Sequence, residues 1–195
     1  FATEPNHVDD EGNPEFWPYL RDPDTLARAW AIPGTPGLMH RIGGIEKQDV
    51  TGNICYDADN HQHMIDTRAQ KVANIARDIP PTQTIGPRTG DVLVLGWGST
   101  RGAITAATLR LQQEGHKISC ACLRYLNPLP NDLEALMRGF KKVVLPEMNK
   151  GQLATMLRAK YLIDVQSYSQ VNGQPFKSHE ILDYLTKTLS AVKQE

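Results

Sequence analysis

The sequence predicts an α/β fold, a three-layer sandwich in which helices cover both faces of an open and largely parallel sheet. The first observation is that short apolar strands alternate with amphipathic helices from residue 91 to the end of the chain. The second is that the first strand is a continuous apolar run, which is typical of a strand buried on both faces. The third is the length, because 195 residues suffice for one sizeable domain, or for one domain with an arm.

The elements of this domain follow one another closely. Apolar runs and helical spacing predict strand 92–95, helix 103–114, strand 117–123, a helix around 133–140, strand 142–145, helix 152–160, strand 161–165 and a last helix that Ser178 caps. We place this domain at residues 86–195, after the proline-rich break that follows residue 79.

The first 85 residues have a different character. Residues 1–36 contain seven acidic residues against two arginines, together with six of the 13 prolines, and predict an extended arm that packs on a neighbour. Residues 37–85 predict a linker in which strands 38–42 and 53–56 form a hairpin across the turn 48–52. A helix at 66–77, with Val72, Ile75 and Ala76 on one face, completes this linker.

Composition excludes several classes of protein. The formal net charge of −1 gives no electrostatic basis for binding nucleic acid or an anionic membrane. No apolar run approaches the ~20 residues that a membrane-spanning helix needs. Three cysteines cannot all pair with one another, which favours a reducing cytoplasm. Because the chain begins with Phe1 and a polar, proline-rich stretch, we expect it to be a piece of a longer protein.

A glycine-rich turn after the first strand is the most specific local motif. Gly96, Gly98 and Gly102 surround the residues Ser99, Thr100 and Arg101, and a helix follows directly. Glycines let a ligand approach the backbone, and the first N–H groups of a helix attract anions. With Arg124 at the end of the next strand, the pattern suggests an NADP-binding module. The alternative is a tight turn that needs glycine for steric reasons, and the bulky Trp97 favours that alternative.

Three polar residues follow the third strand, namely Glu147, Asn149 and Gln152. Ligand sites in open α/β sheets gather at such carboxyl ends of strands. The alternative role for these residues is to cap the helix that begins near Gly151.

Two other groups of residues invite a metal-site hypothesis. His61 and His63 stand close together, but no neighbouring cysteine or carboxylate completes a ligand set, so we interpret them as surface loop histidines. Cys120 and Cys122 lack the fourth thiolate of an iron–sulfur cluster and fit small buried residues better. The sequence therefore predicts no metal site.

Several strings in a fixed order carry a family resemblance over nearly the whole chain. They are PYLRD (18–22), IPGTPG (32–37), HRIGGIEK (40–47), DNH (59–61), RAQKV (68–72), LGWGST (95–100), LRYLNPLP (123–130), PEMN (146–149), GQL (151–153), LRAKY (157–161) and GQPF (173–176). Together they resemble the C-terminal third of the alpha subunit of 2-oxoacid:ferredoxin oxidoreductases, especially of the 2-oxoglutarate type.

The resemblance implies a fold like the C-terminal domain of transketolase, with one antiparallel strand in the sheet. It implies an enzyme that uses thiamine diphosphate, Mg²⁺ and an iron–sulfur cluster to convert a 2-oxoacid and coenzyme A into acyl-CoA, CO₂ and reduced ferredoxin. The expected partners are a pyrimidine-binding domain, a beta subunit, a gamma domain and ferredoxin.

The family's thiamine-contacting Tyr-Pro-Ile-Thr-Pro string and its Gly-Asp-Gly motif are absent from this chain. We therefore expect no catalytic residue here, an inactive fragment, and a structural and interface role. Two alternatives stay open, the NADP-binding module and a domain that senses a small molecule.

Overall fold

The computed structural model describes residues 1–193. The chain divides into two compact units, Phe1–Arg77 and Asp78–Glu195, which we call the arm unit and the sheet unit. The finer division into an arm at 1–36, a linker at 37–85 and a domain at 86–195 stays a prediction. Among residues 1–193, no helix combines the length and the apolar character required to span a bilayer.

The arm unit contains little regular structure. Strands β1 (His7–Val8) and β2 (Pro14–Glu15) form a short antiparallel pair, and the helix α1 (Ala58–Asn74) continues into a 3₁₀ turn at Ile75–Arg77. The buried apolar side chains of this unit are Phe16, Leu38 and Met64. The rest of the unit is irregular backbone, held by hydrogen bonds and by isolated bridges between distant segments, such as Ala2 with Ala31 and Tyr19 with Val50.

Two predictions for the linker need correction. The turn 48–52 exists, since Gln48 N donates to Asn53 O over 2.7 Å, but residues 38–42 form no strand and the pairing is a single bridge between Lys47 and Ile54. Helix α1 begins eight residues before the predicted start because the Asp57 side chain accepts a hydrogen bond from Asn60 N and caps it.

The apolar face predicted for that helix is largely exposed. Val72 and Ile75 are 37% and 47% exposed, and Met64 is the buried residue of α1. Residue spacing alone identified an apolar face but could not show whether anything covers it.

The sheet unit is built on five strands, β3 (Thr84–Ile85), β4 (Gly90–Trp97), β5 (Ile118–Leu123), β6 (Phe140–Glu147) and β7 (Val165–Ser169). Their order is β3-β5-β4-β6-β7. Strand β3 runs antiparallel to β5, and all other pairs are parallel. The mostly parallel sheet with one antiparallel strand is therefore confirmed.

Helices cover both faces of this sheet. They are α2 (Arg101–Gln113), α3 (Leu133–Arg138), α4 (Gln152–Tyr161) and α5 (Ser178–Val192). Because side chains alternate along a strand, Val92 and Val94 of β4 pack in a cluster with α2 and α5, whereas Leu93 and Leu95 pack with α3 and α4. This arrangement is the predicted three-layer sandwich.

Two element boundaries in the sheet unit differ from the prediction. Helix α4 continues through Tyr161, where a strand was expected, and ends at Leu162, whose backbone is left-handed with φ 54°. The last strand is therefore β7, farther along the chain. At the start of α5 the capping position is Lys177, one residue before Ser178, and its N–H donates to the Glu180 side chain over 2.8 Å.

Candidate functional site at the carboxyl ends of the central strands

The connections of the sheet diverge on either side of β4. After β4 the chain passes through α2 to β5 on one side, and then crosses through α3 to β6 on the other side. In open α/β sheets, such a change of direction creates a crevice at the carboxyl ends of the strands where ligands bind. Here the crevice lies between the turn at Gly98–Thr100 and the segment that follows Glu147.

The glycine turn is shaped by packing as well as by backbone conformation. A Cβ atom on Gly96 would lie 2.4 Å from Ile104 Cδ1 and 2.9 Å from Thr100 Oγ1, so a side chain there would push α2 away from β4. Gly98 has a φ of 59°, in the left-handed region that favours glycine, with open space around it. The Thr100 hydroxyl closes the turn by donating to Trp97 O over 2.9 Å. Gly96 is therefore required for steric reasons, which is the alternative that the sequence left open for this turn.

Glu147 is fully buried and holds the amino end of α4. Its carboxylate accepts hydrogen bonds from Leu153 N and Ala154 N, both over 3.1 Å, and from Asn149 Nδ2 over 3.1 Å. A carboxylate at this position satisfies free N–H groups and interacts favourably with the positive end of the helix dipole. Glu147 therefore caps α4, as the alternative interpretation of this segment stated.

Asn149 completes that cap. Its Oδ1 accepts from Gly151 N over 2.7 Å and from Gln152 N over 3.0 Å. The side chain of Gln152 contributes nothing to these bonds, which use its backbone alone. The amino end of α4 is thus occupied by oxygens of the chain itself.

Trp97 and Met148, which the sequence had not assigned to the site, close the crevice. The Trp97 indole packs against the apolar cluster under α3 and α4, and its Nε1 donates to Glu147 Oε1 over 3.4 Å. Across the same gap, the Ser99 hydroxyl lies 3.4 Å from the Met148 sulfur. In the sequence, Trp97 stands between two glycines, where a ligand-binding turn has no room for an indole. This position was the signal that could have identified Trp97 as a residue that closes the crevice.

The predicted site residues fall into two groups. Gly98, Arg101 and Arg124 line one cavity beside β5, together with Tyr125. Glu147, Asn149 and Gln152 lie at the end of β6, on the other side of β4. The structure therefore separates Arg101 and Arg124 from the capped helix, and the glycine turn lies next to both groups.

The histidines and cysteines do not form a metal site in the described part of the chain. His61 and His63 lie on helix α1, not in a loop, and each contacts a carboxylate, Glu46 and Asp49 respectively. Residues 1–193 hold no group of three or more His, Cys, Asp or Glu side chains that could bind a metal ion.

The cysteines of β5 are protonated thiols at neutral pH. Burial raises the pKa of Cys120, and it raises the pKa of Cys122 to about 11. Cys120 is buried in the apolar cluster that α2 and α5 cover, whereas Cys122 is half-buried, and both line the cavity beside β5.

Comparison with known proteins identifies related chains. The sequence is 47% identical over 177 residues to "2-oxoglutarate oxidoreductase subunit KorA" from Mycobacterium tuberculosis, a match that covers 90% of this chain and 27% of that protein. It is 32% identical over 154 residues to "2-oxoacid:ferredoxin oxidoreductase 2, subunit alpha" from Aeropyrum pernix, covering 76% of this chain and 24% of that protein. No protein-family model matches the chain.

Among solved structures, a "2-oxoglutarate:ferredoxin oxidoreductase from Magnetococcus marinus with 2-oxoglutarate, coenzyme A and succinyl-CoA bound" superposes with a TM-score of 0.82 at 29% identity. This likeness covers 94% of the chain described here and 32% of the Magnetococcus chain. The chain spans about a quarter of the length of the curated relatives that it matches. The chain therefore belongs to the alpha-subunit family of 2-oxoacid:ferredoxin oxidoreductases, as its ordered motifs indicated, and corresponds to one part of such a subunit.

Proposed function

We propose that this chain is a structural and interface part of the alpha subunit of a 2-oxoglutarate:ferredoxin oxidoreductase. The complete enzyme would form succinyl-CoA, CO₂ and reduced ferredoxin, with thiamine diphosphate, Mg²⁺ and an iron–sulfur cluster supplied outside this chain. The observation that carries the proposal is the 47% identity, over 90% of the chain, to a protein named as a 2-oxoglutarate oxidoreductase subunit. The NADP-binding alternative draws no support from these relatives.

The polar groups of the crevice support a structural role. Both oxygens of Glu147 accept hydrogen bonds from the chain, so this carboxylate serves to cap α4. We therefore place the chemistry of the enzyme in other domains and assign this chain no catalytic residue.

The surface of the arm unit supports an interface role. Met39, Ile42 and Ile45 are 92%, 83% and 48% exposed, in a loop that also contains Arg41 and two glycines. Such contiguous apolar exposure marks interaction sites. We propose that this loop packs against the remainder of the alpha subunit or against the beta subunit, in an assembly that works in the cytoplasm.

The experiment is performed on the assembled enzyme. The alpha subunit containing this chain is co-expressed with its beta partner, purified as a complex, and assayed for reduction of ferredoxin with 2-oxoglutarate and coenzyme A. Parallel assays with pyruvate and with a branched-chain 2-oxoacid test the substrate. Activity that requires both subunits and favours 2-oxoglutarate supports the proposal, whereas a complex that prefers another 2-oxoacid overturns the substrate assignment.

A pair of variants tests the interface. Met39→Gln with Ile42→Gln should weaken subunit association at least tenfold, because the apolar area that these side chains bury in the complex is lost. The control is Leu162→Gln, since Leu162 is equally exposed, at 87%, but lies in the sheet unit. Equal effects of the double variant and the control, or none from either, would contradict a contact between the Met39–Ile45 loop and the beta subunit.

A further inference from the structure

A cavity of about 530 Å³ lies on the β5 side of the sheet unit. The carboxyl half of β5 forms its floor, segment 80–85 forms one wall, and the start of α2 contributes Gly98, Arg101 and Thr105. Small-molecule sites have volumes of roughly 300–1,000 Å³ and occur at the carboxyl ends of parallel strands. The cavity is therefore of the size, and in the place, of a ligand site.

The arginines of the sheet unit are unevenly paired. Of its six arginines, four form ion pairs: Arg88 with Asp132, Arg110 with Glu114, Arg138 with Glu134 and Arg158 with Asp164. The other two are Arg101 and Arg124. Neither side chain makes a hydrogen bond or an ion pair with any residue in the described range 1–193, and both residues line this cavity.

No carboxylate offsets these two charges. The described residues that line the cavity include no aspartate and no glutamate, so its two ionised side chains are both guanidinium groups. By contrast, the cavity at the opposite end of the strands is lined by Lys117 and Lys141 but also by the carboxylate of Asp91, which pairs with Lys141 over 2.8 Å. The β5 cavity thus attracts an anion, and planar guanidinium groups favour phosphate through paired hydrogen bonds.

The remaining lining suits an aromatic or apolar ligand body. Tyr125 is 44% exposed, and three prolines, Pro80, Pro81 and Pro130, also line the cavity. An aromatic face next to cations and rigid apolar walls is suited to stacking a planar ring. The same end of α2 has no side-chain hydrogen bond at its cap, whereas the amino end of α4 is filled by Glu147 and Asn149.

We propose that this cavity binds a phosphate-bearing ligand of nucleotide size, with Arg101 and Arg124 holding the phosphate and Tyr125 contacting the ring. The inference does not rest on the proposed function, because it concerns a site within the sheet unit and not the catalytic activity of the assembled enzyme. A failure of one proposal leaves the other unaffected.

The test is isothermal titration calorimetry of the 195-residue chain with ADP and, separately, with inorganic phosphate. We expect saturable binding of ADP that Arg101→Gln and Arg124→Gln each weaken about tenfold, the loss typical of one hydrogen bond to a charged group. Tyr125→Ala should weaken ADP binding and leave phosphate binding unchanged. Circular dichroism melts verify that each variant is folded.

The matched control is Arg110→Gln, which removes one positive charge from the same helix as Arg101 but outside the cavity. It should leave the affinity for ADP unchanged. Absence of saturable ADP binding up to about 5 mM, or equal losses for Arg101→Gln and Arg110→Gln, would overturn the site. Phosphate binding as tightly as ADP, with Tyr125→Ala silent, would overturn the nucleotide-sized ligand.

Discussion

The arm unit and the sheet unit differ in how much apolar surface they bury. Among the described residues, 28 of the 31 buried apolar side chains lie in the sheet unit. In contrast, 12 of the 18 large apolar side chains that are exposed lie in the arm unit. Apolar burial is the main favourable contribution to folding, so the sheet unit has a core of its own and the arm unit depends on other interactions.

Polar contacts provide much of the order in the arm unit. Asn6 and Trp17 exchange two hydrogen bonds, and the buried Lys47 ammonium donates to Gly43 O and Ile45 O. Exposed ion pairs and hydrogen bonds each contribute only about 0–1.5 kcal/mol. The sheet unit is therefore stabilised by its own apolar core, whereas the arm unit exposes apolar surface that is suited to binding a partner.

The largest expected effect is a difference in unfolding between the two units. Trp17 and Trp30 lie in the arm unit and Trp97 in the sheet unit, so tryptophan fluorescence distinguishes them. In urea, the variant Trp97→Phe should report a midpoint at least about 1 M below that of the double variant Trp17→Phe, Trp30→Phe. Coincident midpoints for the two reporters would show that the units unfold together and would contradict the comparison.

Loss of the α4 cap should destabilise the sheet unit most among single substitutions. Glu147→Ala leaves the N–H groups of Leu153 and Ala154 without their acceptor in a buried place, and we expect a loss of about 3 kcal/mol in the free energy of unfolding. Urea unfolding followed by Trp97 fluorescence measures it. The control Glu134→Ala removes an exposed carboxylate and should change the stability by less than about 0.5 kcal/mol.

Two glycine substitutions compare a position where packing excludes a side chain with a position where it does not. Gly96→Ala should cost about 1–3 kcal/mol because its Cβ overlaps Ile104 and Thr100. Gly102→Ala, on the same turn, meets no atom within 4 Å and should stabilise α2 by about 0.5 kcal/mol. Thermal melts monitored by circular dichroism measure both, and similar melting temperatures for the two variants would refute the packing role of Gly96.

The smallest expected effect is a pH dependence at the Asp132 carboxylate, which accepts from Thr82 N over 3.0 Å and Arg88 Nη2 over 2.6 Å. Burial acts to raise the pKa of Asp132, but the hydrogen bonds from Thr82 and Arg88 outweigh it and lower the pKa below its ordinary value of 3.8. Because the pKa is lower in the folded state, the stabilisation is present above about pH 4 and is lost as the pH falls through the folded-state pKa.

Thermal melts between pH 2 and pH 7 test this expectation. Asp132→Asn should be less stable than the parent at pH 7, and the difference should shrink as the pH falls below about 4. A difference that stays constant over the whole range would show that the charge of Asp132 does not contribute.

Parts of the structure followed directly from the sequence. The alternation of strands and helices was predictable because a strand buried on both faces must be continuously apolar and a covering helix must repeat its apolar residues every three to four positions. Strand β3 was not predictable from pattern, since two residues carry no periodicity. The early start of α1 was missed because Asp57 is typical of a turn as well as of a helix cap.

The candidate site also combines features that the sequence predicted with features that it could not predict. Sequence alone named Arg101, Arg124 and Glu147, but gave no means of separating the two arginines from the glutamate. By itself the sequence determined the sandwich, its family and the residue types at the carboxyl ends of the strands. Only the tertiary structure decided that Glu147 caps a helix while Arg101 and Arg124 lie beside a cavity with no ion pair to residues 1–193, because pairing depends on distances between residues that are far apart along the chain.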